Sequence, residues 1–254
     1  MSSDISFPLL ILILLISLKY LIYLLHYSLP TLTYMIHSAS LVHATEGGDK
    51  LIAYMARVSN PANQENEKSK GLIKYLIKHK HWSPFEMVNM CVQINTTRSI
   101  AAQILRHRSF SFQEFSQRYA NVEDLGEPMI PLLRRQDTNN RQNSIDDIGE
   151  NCKTEWYKEI DALYKHSTRL YKSMLNAGIA KECAREVLTL ASPSKLYMNG
   201  TLRSWIHYVE LRSSHGTQKE HQQIAKQIKN LIASAFPQVF EAVFNPNYDR
   251  PTSA

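Results

Sequence analysis

Between Gln103 and Tyr119 the chain sets Arg106, His107, Arg108, Glu114 and Arg118 among Gln103, Gln113, Gln117 and the hydroxyls of Ser109, Ser111 and Ser116. Phe110, Phe112, Phe115 and Tyr119 are threaded through the same stretch. Guanidinium groups are rigid forks that match phosphate and carboxylate oxygens with two bonds each. A carboxylate and several amides add the directional donors and acceptors that reading a base or ring edge requires. The mix describes a polar pocket for a phosphorylated planar ligand on an aromatic scaffold. A helix end carrying a few surface ion pairs is the plainer alternative. If the chain is extended here, Arg106 and Arg108 share one side and His107 points to the other. Glu114, Ser116 and Arg118, also two apart, would then line one strand face.

The flanking patterns supply the elements that hold this stretch. Ser40 to Ala44 opens the domain as a short strand, and Leu51, Ile52, Met55 and Val58 follow helical spacing up to the Asn60-Pro61-Ala62-Asn63 turn. Gln64 to Lys70 is a charged connector. A helix over Gly71 to Lys78 gathers Lys78, His79, Lys80 and His81 at its C-terminal end, where cations suit the dipole. Met87 to Asn95 alternates as a half-buried strand, and Thr96 or Thr97 can cap the helix leading to Arg106. Arg134 to Asn151 is polar and reads as a mobile insertion. Trp156, Ile160, Leu163, Tyr164, Leu170, Tyr171, Met174 and Leu175 mark a long amphipathic helix ending at Gly178. Further helices are expected over Lys181 to Leu190, Leu202 to Ser213 and Gln218 to Ala235, with a strand over Lys195 to Thr201. The fold class is α+β: one helix-rich domain with a small mixed or antiparallel sheet.

A chain of 254 residues can build one large core, and its formal charge of +6 suits anionic ligands, nucleic acid or an acidic surface alike. Cys91, Cys152 and Cys183 are odd in number and form no C-x-x-C pair, which argues against a disulfide framework or a cysteine zinc site. A reducing, cytoplasmic setting for the catalytic domain follows. There is no H-E-x-x-H, no Walker loop and no G-x-G-x-x-G, so a nucleotide must be held by side chains. Residues 1–37 form an apolar extension. Its run from Phe7 to Leu25 approaches the length of a spanning helix and reads as a candidate membrane anchor or a dispensable leader.

Arg106-His107-Arg108, seven residues, then Ser116 resembles the R-H-R-x7-S signature of the flavin-dependent thymidylate synthases. Three further stretches are similar to that family in the same order. They are His81-Trp82-Ser83-Pro84-Phe85-Glu86, Ala184-Arg185-Glu186-Val187-Leu188, and Leu202-Arg203-Ser204-Trp205-Ile206-His207-Tyr208 leading to Glu210-Leu211-Arg212. The resemblance covers residues 38–250 as one catalytic domain. Two positions depart from it: Met87 stands where a second histidine is frequent, and Thr201 where asparagine is usual.

The resemblance implies reductive methylation of dUMP to dTMP in a homotetramer whose active sites are shared between subunits. FAD would be the cofactor, NADPH the reductant and methylenetetrahydrofolate the carbon donor. It assigns Ser83, Arg106, His107, Arg108, Glu114, Thr201, Leu202, Arg203 and His207 to FAD, with His81 near the flavin ring. It assigns Gln103, Arg106, Glu114, Ser116, Gln117, Arg118 and Arg185 to dUMP. Arg212 would lie at the pyrimidine and favour loss of the N3 proton. Read singly, His207 is a core histidine, Arg212 a helix-end charge and Arg185 an exposed helix residue; only the joint match favours the site. No metal is expected. The competing function is a single-strand nucleic-acid module using Arg106, Arg108, Arg118 and the interleaved Phe residues. Glu114 in the middle of that row suits one nucleotide better than a phosphate track.

Overall fold

The computed structural model describes residues 37–245. The apolar run at residues 7–25 lies outside them. Among the described residues no helix is long and apolar enough to cross a membrane.

Four strands make the main sheet: β1 (Ser38–Ala44), β2 (Asn89–Thr97), β3 (Ser111–Glu114) and β6 (Pro193–Thr201). Their order is β1-β2-β6-β3 and every pairing is antiparallel, which resolves the expectation of a mixed or antiparallel sheet. The alternation read along β2 follows its pleat, with Met90, Val92 and Ile94 fully buried. Leu196 and Met198 of β6 extend that apolar face. Helix α6 (Leu202–Arg212) and helix α7 (Lys219–Ala235) supply Trp205, Val209, Ile224, Ile228 and Ile232 to the same core. The Trp205 indole N–H donates to the Met90 carbonyl at 2.9 Å, locking α6 to the sheet.

Caps end the elements where the sequence placed them. Thr97 accepts from the Ile100 amide to start α3 (Arg98–Ile104), and Thr201 accepts from the Ser204 amide to start α6, each at 3.4 Å. At the sheet edge, α1 (Gly48–Ala56), α2 (Lys70–Lys78) and α8 (Pro237–Phe244) close the core through Ile52, Ile73, Leu76 and Val239. Asp49 accepts from the Gln238 and Val239 amides and so holds the start of α8.

Gly200 has a packing requirement. A Cβ there would collide with Cδ1 of Phe110. Its absence lets the Phe110 ring sit flat on β6, 4.7 Å from the Trp205 ring in an edge-on contact.

Three expectations need correction. Arg134 to Asn151 is not a featureless insertion: β4 (Arg135–Gln136) and β5 (Ser144–Ile145) form a hairpin. Arg134 reaches from it to a buried ion pair with Glu220, 2.7 Å away. The helix expected over Lys181 to Leu190 shrinks to α5 (Lys181–Ala184) and a 3-10 turn, because Leu188 is already extended. Arg106–Arg108 follow directly on the end of α3, the helix-end position expected for them, in a turn where the Phe110 amide is bonded to the His107 carbonyl. Finally, α4 (Glu150–Asn176) is as long as expected, yet Trp156, Leu163 and Leu170 on it are exposed. Those side chains are seven residues apart and so make one stripe.

Candidate functional site

The sequence-predicted residues fall into three groups. The first surrounds the end of α6. Arg212 donates its Nε–H to Nε2 of His107 at 2.9 Å, and the His107 ring meets Tyr208 edge-on with centroids 4.9 Å apart. An accepting Nε2 makes His107 a neutral Nδ1–H tautomer. Anchored through Nε, the Arg212 guanidinium keeps its two terminal nitrogens for another partner. Arg106 and Arg108 flank this histidine and are exposed, with no hydrogen-bond or ion-pair partner among the described residues.

Behind Arg212 runs a second line of polar groups. The Tyr208 hydroxyl lies 3.0 Å from Nε2 of His221, whose Nδ1 is 3.3 Å from Oε1 of Gln103. Gln103 Nε2 then donates to Oε1 of Gln218 at 2.8 Å. His221 is fully buried.

The second group lines a cavity of about 640 Å³ bounded by Trp82, Glu86, Ser109, Thr201, Arg203 and His207, among others. Glu86 receives Arg203 at 2.6 Å and the Thr201 hydroxyl at 3.3 Å. Ser83 opens the 3-10 turn Ser83–Met87 between the two lining residues Trp82 and Glu86. His81, just before it, is exposed and rests 5.9 Å from the Tyr75 ring. Contrary to the core role that His207 suggests when read singly, its side chain faces outward. Leu202 is fully buried and its amide is taken by the Val88 carbonyl at 2.8 Å, so its side chain does not open to the cavity.

The third group collects beyond β3. Glu114 ends that strand and accepts from Arg98 and, at 2.7 Å, from the Ser194 hydroxyl. Ser116 and Arg118 do not continue its face. The chain turns at Ser116, whose carbonyl takes the Tyr119 and Ala120 amides. Arg118 instead meets Glu182 of α5 at 2.9 Å, and Arg185 pairs with its neighbour Glu186 at 3.4 Å. Gln117, between Ser116 and Arg118, is buried, and its Nε2 has no partner among the described residues. Phe110 and Phe112 pack against the core, so neither is presented as a stacking surface.

The second and third groups are set apart along the sheet. Leu196, opposite Glu114 in the sheet, lies five residues before Thr201 on β6; at ~3.4 Å per residue that is roughly 17 Å. Sequence reasoning also missed Arg98, Ser194, Glu86, Tyr208 and His221. Arg98 does carry a signal: a cation in the first turn of a helix opposes the dipole, so a carboxylate had to be nearby. His221 carries none, because its partners arrive from α3 and from the neighbouring helix α6.

The family of thymidylate synthase complementing proteins matches residues 40–238. A probable flavin-dependent thymidylate synthase of Paramecium bursaria Chlorella virus 1 is 51% identical over 204 residues, 80% of this chain and 94% of that one. The chain belongs to the flavin-dependent thymidylate synthase family. The relative of that name in Synechocystis is 50% identical over 194 residues, 76% of this chain and 88% of that one. Among solved structures, the UMP/dUMP methylase PolB of Streptomyces cacaoi, bound with 5-Br dUMP, superimposes with a TM-score of 0.72 at 28% identity. That match covers 81% of this chain and 93% of PolB.

In this family member the histidines beside Arg212 are electrostatically strained. Burial, then Arg212 and His207, push His107 down from 6.5 to about 4. Burial, then Arg212 and His107, push His221 down to about 3. Unfolded, each imidazole binds its proton near 6.5. Below that pH the unfolded chain therefore holds more protons than the folded one. Stability present above pH 6.5 is lost as the pH falls towards 4. Urea unfolding at about pH 7.5 and pH 5 should show the lower midpoint at the acid pH; equal midpoints would contradict this electrostatic picture.

Proposed function

We propose that the chain converts dUMP to dTMP by reductive methylation, with FAD as cofactor, NADPH as reductant and methylenetetrahydrofolate as carbon donor. The observation that carries this reading is Arg212: a guanidinium held by a neutral histidine, with its terminal nitrogens free, at the end of a buried helix. A fixed cation beside a weak acid favours the anion. Placed at the pyrimidine, the Arg212 cation would stabilise the ring anion, favouring loss of the N3 proton and raising electron density at C5, where the new carbon–carbon bond forms. Burial raises the pKa of Cys91, which makes that thiol a poorer nucleophile.

The flavin fits the second group of residues. The cavity offers an indole wall from Trp82, hydroxyls from Thr201 and Ser204, and the outward His207 and Arg203. Thr201, where asparagine is usual, keeps a hydroxyl there while it caps α6. When bound, FAD would carry the hydride that completes the methyl group. The residues of this chain orient it: Arg106 and Arg108 offer cations to its phosphates, and His107 offers Nδ1–H. His81 and Ser83 stand at the cavity's edge.

Glu114, Ser116, Gln117, Arg118 and Arg185 are assigned to dUMP, with the arginines on its phosphate and Gln103 and Arg106 completing the pocket. The separation along β6 supports a site shared between protomers of a homotetramer, and the exposed Trp156–Leu163–Leu170 stripe offers apolar surface for such assembly. The Arg118→Ala variant is expected to weaken dUMP binding roughly tenfold or more, through loss of a charge-assisted phosphate contact. If Arg118 and Arg212 of one site come from different protomers, mixing the two alanine variants before reassembly should recover activity at dUMP concentrations too low to fill the Arg118→Ala site. Random pairing predicts about a quarter of the wild-type rate. No recovery would place both arginines in one protomer, and unchanged dUMP affinity would remove Arg118 from the phosphate.

A further inference from the structure

Gln103, assigned above to dUMP, has its amide orientation set from behind. A glutamine amide can present either its carbonyl or its NH2, and those two faces recognise opposite ligand groups. Here Oε1 of Gln103 lies 3.3 Å from Nδ1 of His221. The His221 ring is in turn fixed by the Tyr208 hydroxyl at its Nε2, 3.0 Å away. A tyrosine O–H donating to Nε2 leaves the proton on Nδ1, which can only donate to Oε1 of Gln103. The tautomer thus runs outward from the core: hydroxyl to imidazole to amide. Tyr208 and His221 are both fully buried, so water does not compete for the bond between them.

We infer that His221 is a positioning residue that turns the Gln103 NH2 group outward, so that this corner of the site accepts a nucleotide atom that is a hydrogen-bond acceptor and rejects a donor. One amide hydrogen is engaged by Oε1 of Gln218 at 2.8 Å, and the other remains for the ligand. The inference rests on the reading of Gln103 as a dUMP-binding residue. It extends that reading to a residue on α7 that the family motifs do not include. A reversed Gln103 would set its carbonyl against the same oxygen, and two facing acceptors with no proton between them are repulsive.

Calorimetric titration of dUMP into the FAD-loaded enzyme tests this without turnover. His221→Phe keeps a ring but removes both nitrogens, and dUMP affinity should fall roughly tenfold, the worth of one well-made bond of about 1.4 kcal/mol. His221→Asn restores an amide N–H near the place of Nδ1 and should bind within about threefold of wild type. Flavin occupancy should stay the same in both. Gln103→Glu, at a partly exposed position, keeps the test open if His221→Phe does not fold. It presents only acceptors, and should lose dUMP binding by more than tenfold with His221 intact. Equal dUMP affinity in wild type, His221→Phe and His221→Asn, equal loss in both His221 variants, or full affinity in Gln103→Glu would overturn the inference. Absence of dUMP binding to the wild-type enzyme itself would instead overturn the functional reading beneath it.

Discussion

Arg212→Ala should slow dTMP formation by roughly 100- to 1,000-fold while FAD remains bound, a loss typical of removing one preorganised charge from a developing anion. The guanidinium is held through Nε by His107, so its position is set before any ligand arrives. Arg212→Lys should recover little, because a lysine cannot be anchored through one nitrogen while presenting two others. The variant has a second signature. Arg212 is among the causes that depress both His107 and His221, so its removal should raise both, towards their ordinary range. NMR titration of the imidazole protons would follow that shift. A variant with full turnover, or one in which neither histidine moves, would take Arg212 out of this role.

The next largest effect is expected far from the chemistry. Arg134→Ala should destabilise the fold by about 3–5 kcal/mol, since it strands Glu220 without its cation in a nearly enclosed position. The two side chains are 11% and 10% exposed, which separates this pair from the surface bridges elsewhere on the chain. Arg134→Met combined with Glu220→Leu should recover much of the loss, because both charges leave together. Denaturant midpoints for the single and double variants check this. A loss below about 1 kcal/mol in the single variant would mean that the hairpin is held by something else. Glu220 directly precedes His221 on α7, so the single variant should also disturb the Gln103 relay.

Local periodicity carried the architecture far. The alternation in Met90, Val92 and Ile94 marked β2, and the 3.6-residue pattern marked α2, α6 and α7, because burial on one face leaves that imprint on sequence. Thr97 and Thr201 were legible as caps for the same reason: the cap is chemistry within three residues. What failed depends on distance. Arg134 to Asn151 looked solvated because its main partner, Glu220, is remote in sequence. The stripe of Trp156, Leu163 and Leu170 looked like core because period alone does not say whether the covering surface belongs to the same chain.

The site divides along the same line. Arg106, His107, Glu114, Arg185 and Arg212 were visible through short motifs, each of which concentrates charge locally. The contacts that orient them were not: Ser194 under Glu114, Glu86 under Arg203 and His221 under Gln103 are cross-element pairings. The Arg98 contact with Glu114 is the exception: a cation set against the dipole of its own helix favours a nearby carboxylate.

Release of tritium from [5-³H]dUMP by the purified protein, supplied with FAD, NADPH and methylenetetrahydrofolate, bears most directly on the account. Substitution at C5 must expel that hydrogen, so label should appear in water in step with dTMP and cease when Arg212 is replaced by alanine. A wild-type protein that binds flavin and dUMP yet leaves the label on the nucleotide would contradict it.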